Sequence, residues 1–130
     1  MSEKTIHWIK HSRLIRFLIW MIFNMMSFAI PSQRLRETEN LLAFFHPQPD
    51  YPFHAIIVPK KPAATLIDLD PNDPAFLTDL YATAQSLVKE YHLADDGYRL
   101  IVNGGKYQTF PYLHFHLISE QKPFTTKDTK

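Results

Sequence analysis

The hydrophobic pattern changes character at residue 31. Before it, residues 14–30 are apolar apart from Arg16, Asn24 and Ser27; after it, short apolar runs alternate with turn-forming residues. Pro31 ends the first stretch, which predicts an N-terminal helix. Residues 34–39 then read as an exposed strand and residues 41–45 (Leu-Leu-Ala-Phe-Phe) as a second, with Glu39 and Asn40 as the turn of a hairpin. Pro47, Pro49 and Pro52 stiffen the following loop, which delivers His54 to the start of a third strand over residues 55–58. Asp73-Pro74 places a capping residue and a first-turn proline at a helix start, and Phe76, Leu77, Leu80, Ala84, Leu87, Val88 and Tyr91 follow at helical spacing. Gly97 ends that connection, residues 98–103 form a fourth strand, and Gly104-Gly105 opens a loop. In residues 112–118 apolar and polar positions alternate, so Leu113, Phe115 and Leu117 share one face while His114 and His116 share the other. Helix, three strands, helix, two strands is the order of an α+β domain with an antiparallel five-stranded sheet. A doubly wound parallel sheet does not fit it.

The length of 130 residues suits one domain, and 45% hydrophobic residues suffice for a core. The predicted boundaries are an apolar N-terminal helix in residues 1–29, whose C-terminal part joins the main domain, a domain over 30–120 and a tail over 121–130. The formal net charge of +1, with no long basic run, gives no reason to expect a polynucleotide partner. Cysteine is absent, which excludes disulfides and thiolate metal sites. The apolar part of the first segment falls short of the roughly 20 residues that cross a bilayer. It reads as a helix packed on the domain or in a subunit interface, as one lying in a membrane surface with Trp8 and Trp20 at the headgroups, or as a signal peptide with a small-x-small site at Ser27-Phe28-Ala29. The expected location is the cytoplasm, with peripheral membrane contact as an option.

The chemistry concentrates on the histidines. Imidazole serves as nucleophile, proton carrier and anion partner near neutral pH, and two of them emerge from one strand face. Three readings follow from the residues: satisfied surface histidines, a phosphoryl site, and a metal site of His54, His114 and His116. The ordered set His54, Asn103, His114 and His116 resembles the histidine triad (HIT) nucleotide hydrolases and transferases, whose signature is H-x-H-x-H followed by apolar residues. Ile30-Pro31-Ser32 leading into Leu42-Ala43-Phe44 is similar to that family's first hairpin, and His54 followed by Ile57-Val58-Pro59-Lys60-Lys61 to its second histidine-bearing element. Gly97-Tyr98-Arg99 with Val102-Asn103 resembles its fourth strand, and Gln108-Thr109 stands where the family has Gln-Ser.

The resemblance implies that His114 is the nucleophile, forming a nucleotidyl-histidine intermediate on a nucleoside phosphoramidate or related nucleotide. By the same resemblance His116 and Thr109 donate to the phosphate, His54 supports the proton network, Asn103 binds the leaving-group side or fixes the loop, and Gln108 is a substrate-binding residue. Phe44, with Ile22 and Met25, falls where family members line a nucleobase pocket. No metal or other cofactor is required, and a homodimer is implied. The alternatives are a dinucleoside polyphosphate hydrolase and a nucleotide-binding module with little catalysis. Two departures stand out. Tyr112 replaces the first triad histidine, and a phenol of reference pKa near 10 is a poor proton shuttle at pH 7. His46 occupies the place of the acidic residue that binds the ribose hydroxyls, and an imidazole offers a different hydrogen-bonding set there.

Overall fold

The computed structural model describes residues 34–122. The predicted N-terminal helix, Ile22, Met25 and most of the tail lie outside them. The described part is one five-stranded antiparallel sheet covered on one face by one long helix. The strands are β1 (Arg34–Glu37), β2 (Leu41–Phe45), β3 (Phe53–Pro59), β4 (Arg99–Val102) and β5 (Phe115–Ser119), and the helix α1 is Ala75–Glu90. Their spatial order is β1-β2-β3-β5-β4, which makes β3 and β5 central neighbours and leaves β1 and β4 at the edges.

Strands β2 and β3 are buried on both faces. Leu41, Ala43, Ile57, Leu113 and Phe115 pack with Leu80 of α1 on one side. Phe53, Ala55 and Leu117 continue that layer against Leu87, Tyr91 and Leu93. Leu42, Phe44, Ile56, Val58 and Tyr112 form a separate cluster on the opposite face. Alternation thus sends odd positions of β3 and β5 to the helix and even positions to the other side.

Polar contacts fix the layers to one another. The β1–β2 turn is held by Thr38 Oγ1, which accepts from the backbone N–H groups of Asn40 (3.0 Å) and Leu41 (3.1 Å). The same hydroxyl donates to Asp79 on α1 at 2.7 Å, and Asn40 Nδ2 donates to the same carboxylate at 2.8 Å. At the start of α1, Asp73 Oδ1 accepts the Ala75 N–H at 3.2 Å while Pro74 is already in the right-handed helical region, the arrangement expected of a cap and a leading proline. At its end the chain turns through His92 with φ 54°, and Leu93 N–H returns to the Val88 carbonyl at 3.0 Å, a Schellman closure.

Candidate active site

Four imidazoles converge on the sheet face opposite α1. Register pairs His54 with Ile118 and Ile56 with His116, so His54 and His116 are diagonal neighbours across β3 and β5. His54 Nε2 and His116 Nδ1 are 2.9 Å apart. His114 precedes β5, and its ring centroid lies 4.8 Å from that of His116. His46, at the end of β2, lays its ring 4.5 Å from that of His54.

The hydrogen-bond partners assign every tautomer in the neutral array. The backbone N–H of Asp50 donates to His54 Nδ1 at 3.1 Å, so the ring proton of His54 is on Nε2 and is donated to His116 Nδ1. His116 therefore carries its own proton on Nε2. His114 Nδ1 lies 2.7 Å from the Tyr112 carbonyl, which only accepts, so Nδ1 holds the proton and Nε2 keeps a lone pair. His46 Nδ1 accepts the Gln48 N–H at 2.9 Å and leaves an Nε2–H donor.

His46, His114 and His116 open onto a cavity of about 320 Å³, within the size range of small-molecule sites. Phe44, Ile56, Val58, Phe110 and Tyr112 give it an apolar side, and Thr109 is a polar residue of its lining. Among the described residues no carboxylate, Lys or Arg lines it. His54 is buried behind His116 and reaches the cavity through that ring. The arrangement does not suit a metal: the 2.9 Å contact uses a nitrogen of both His54 and His116, and no group of three or more His, Cys, Asp or Glu among the described residues could hold one.

Residues 27–123 match the family model described as HIT domain. The chain belongs to the HIT family. An adenosine 5'-monophosphoramidase of Saccharomyces cerevisiae is 40% identical over 94 residues, covering 71% of this chain and 56% of its own length. The chain thus spans a little over half of that curated relative. A HIT-like protein of Chlamydia pneumoniae is 32% identical, with 68% of this chain and 82% of the relative covered. Among solved structures, a HIT family hydrolase from Clostridium thermocellum superposes with a TM-score of 0.65 at 27% identity, covering 85% of this chain and 94% of that one. One from Legionella pneumophila gives the same TM-score at 31% identity, covering 77% of this chain and 92% of that one.

Within this HIT frame, the structure separates residues that the sequence grouped together. Phe44, His46, Thr109, Tyr112, His114 and His116 all line the cavity. Gln108 does not. Its side-chain NH2 donates to the carbonyls of Ala64 (2.8 Å) and Phe110 (3.0 Å), so it holds the loop instead of a ligand. Asn103 follows β4 one step beyond the Val102–Phe115 pair and is likewise not part of the cavity wall. Tyr112 presents its ring to the cavity, but its hydroxyl donates to the Pro59 carbonyl at 2.7 Å and the residue is 2% exposed. The predicted strand from residue 112 starts at Phe115, because β4 offers no partner beyond Val102 and Leu113 N–H turns to the Ala63 carbonyl at 2.9 Å.

Nonpolar surroundings push His116, His54 and His46 toward neutrality. Burial drives His116 down to about 4, with the neighbouring rings of His114, His54 and His46 adding to the effect. Burial also lowers His54, with His46 contributing, and lowers His46, with His114 contributing after the opposing pull of Asp50. Burial raises the Tyr112 phenol to about 12.

Proposed function

We propose that this chain is a HIT-type nucleotide hydrolase that cleaves a bond at the α-phosphate of a nucleoside phosphoramidate or related nucleotide conjugate. The observation that carries this reading is the orientation of His114. With Nδ1–H tied to the Tyr112 carbonyl, the Nε2 lone pair is the nucleophile, and the carbonyl stabilises the positive charge that develops as Nε2 bonds to phosphorus. His116 Nε2–H stands next to it as a donor to the phosphoryl oxygens, oriented by the bond from His54. Thr109, in the cavity lining, supplies a second donor.

The apolar side formed by Phe44, Ile56, Val58 and Phe110 suits a nucleobase. His46 Nε2–H then meets the sugar as a donor, where a carboxylate would accept from both hydroxyls. The name of the yeast relative, a monophosphoramidase, supports the same reaction class. Water attacks the nucleotidyl-histidine in the second half-reaction and releases the nucleoside monophosphate.

The test is covalent capture. Incubating the protein with the 4-nitrophenyl ester of adenosine 5'-monophosphate and quenching in the first turnovers should give a mass increase of one adenylyl group, mapped to His114 and lost in His114→Ala. Tight nucleotide binding without adduct or product would reduce the chain to a binding module.

A further inference from the structure

The sugar of a bound nucleotide has to pass His46. Phe44 and His46 alternate at the end of β2 and face the same side, and register sets Phe44 beside Ile56 and Ile56 beside His116. With the base against the apolar wall and the phosphate at His114 and His116, the sugar that joins them spans the space between. The His46 ring borders that space, 6.4 Å from the His116 ring and inclined to it by only 19°.

That ring is held in one orientation. The His46 backbone N–H donates to the His54 carbonyl at 2.8 Å, which continues the β2–β3 ladder one step past the Phe45–Ala55 pair. Nδ1 accepts the Gln48 N–H at 2.9 Å, and the ring lies 4.5 Å from that of His54. Pro47 and Pro49, on either side of Gln48, stiffen the turn that supplies the amide. Burial holds the imidazole below its ordinary proton affinity, so at pH 7.5 it is neutral and keeps one proton, on Nε2, for the cavity it lines.

A single N–H reads a sugar differently from a carboxylate. A carboxylate accepts from two neighbouring hydroxyls at once, so the loss of either leaves an anionic oxygen unpaired. A neutral N–H needs one acceptor oxygen. The 2' and 3' hydroxyls of ribose are neighbours on one face of the ring and either oxygen can accept, so when one is missing the other serves. From this geometry we infer that His46 is the specificity-determining residue at the sugar, and that the site takes ribonucleotide and 2'-deoxyribonucleotide conjugates alike. The inference rests on the nucleotidyl-transfer reading and extends its substrate class. It also sets a limit: a sugar with neither hydroxyl leaves the Nε2–H without a partner and is disfavoured.

The experiment is a sugar series on the full chain at pH 7.5: the 5'-phosphoramidates of adenosine, 2'-deoxyadenosine, 3'-deoxyadenosine and 2',3'-dideoxyadenosine. The expected kcat/KM values of the first three lie within about threefold of one another, and the dideoxy substrate falls by about fivefold or more, the loss from one unpaired donor. In His46→Asp each monodeoxy substrate should drop about tenfold or more below adenosine, because a hydrogen bond to a charged acceptor is then lost. In the parent chain, a monodeoxy substrate more than about threefold below adenosine, or a dideoxy loss under about fivefold, would overturn the inference while leaving the nucleotidyl-histidine reaction standing. So would monodeoxy substrates that keep pace with adenosine in a folded His46→Asp chain, since residue 46 would then not read the sugar. No turnover and no His114 adduct with any member would remove both.

Discussion

His116 shows what it takes to keep an imidazole neutral inside a protein. It lies over the sheet with three other rings near it, and burial lowers its proton affinity, with those rings adding to the effect. Its folded value of about 4 is below the ordinary 6.5, so between those values the unfolded chain binds the proton that the folded chain rejects. The stabilising effect of the neutral site is therefore complete above about pH 6.5 and disappears as pH falls toward 4. This single group should account for a loss on the order of 2–3 kcal/mol between pH 7.5 and 4.5. Urea unfolding at the two pH values should show His116→Asn losing less stability over that interval than the parent chain. His54 and His46 act in the same direction, so some pH dependence persists in the variant. Equal losses in both proteins would show that His116 does not carry the effect.

At the scale of elements, the joint between α1 and the sheet holds the site in place from behind. Leu87 is fully buried between Phe53, Ala55 and Leu117 of the strands and Tyr91 and Leu93 at the helix end. Leu87→Ala should cost about 2–5 kcal/mol, the range for a leucine removed from a packed core. Denaturant titration measures it, and a loss below about 1 kcal/mol would mean that the layer closes over the gap. The strands also show what the sequence could reveal. β2 falls on the expected residues because Leu41–Phe45 is an unbroken apolar run that both layers claim. β3 extends beyond the expected 55–58 at both ends, since pairing with β5 reaches back to Phe53 and pairing with β2 reaches Pro59. β5 begins late because β4 stops at Val102 and, beside β3, Leu113 N–H turns to the Ala63 carbonyl. Strand cores follow from side-chain alternation, whereas strand ends follow from the neighbour's length, which no local window contains. The same holds in the site. The shared face of His114 and His116 was legible from their spacing, but Gln108 turning onto Ala64 and Tyr112 onto Pro59 depend on a segment some fifty residues away.

Over the whole molecule, the sheet has two outer edges, and β4 at one of them is short and only partly covered. An unpaired edge invites pairing with another strand. We propose that two copies associate across this side, as the family resemblance implies. Sedimentation equilibrium of the full chain at micromolar concentration should give about twice the chain mass of 15.3 kDa; a species of 15.3 kDa would refute the dimer. Among the described residues no helix is long and apolar enough to cross a membrane. Within one copy, three ties fasten the loop before β5 to the end of β3 and the stretch after it: Gln108 to Ala64, Tyr112 to Pro59 and Leu113 to Ala63. Cavity wall and strand end are thereby riveted into one plate. Ligand entry cannot proceed by lifting that loop alone, as a lid on a hinge would; the plate has to shift as a unit, or the doorway has to lie on the side of His46 and Pro47.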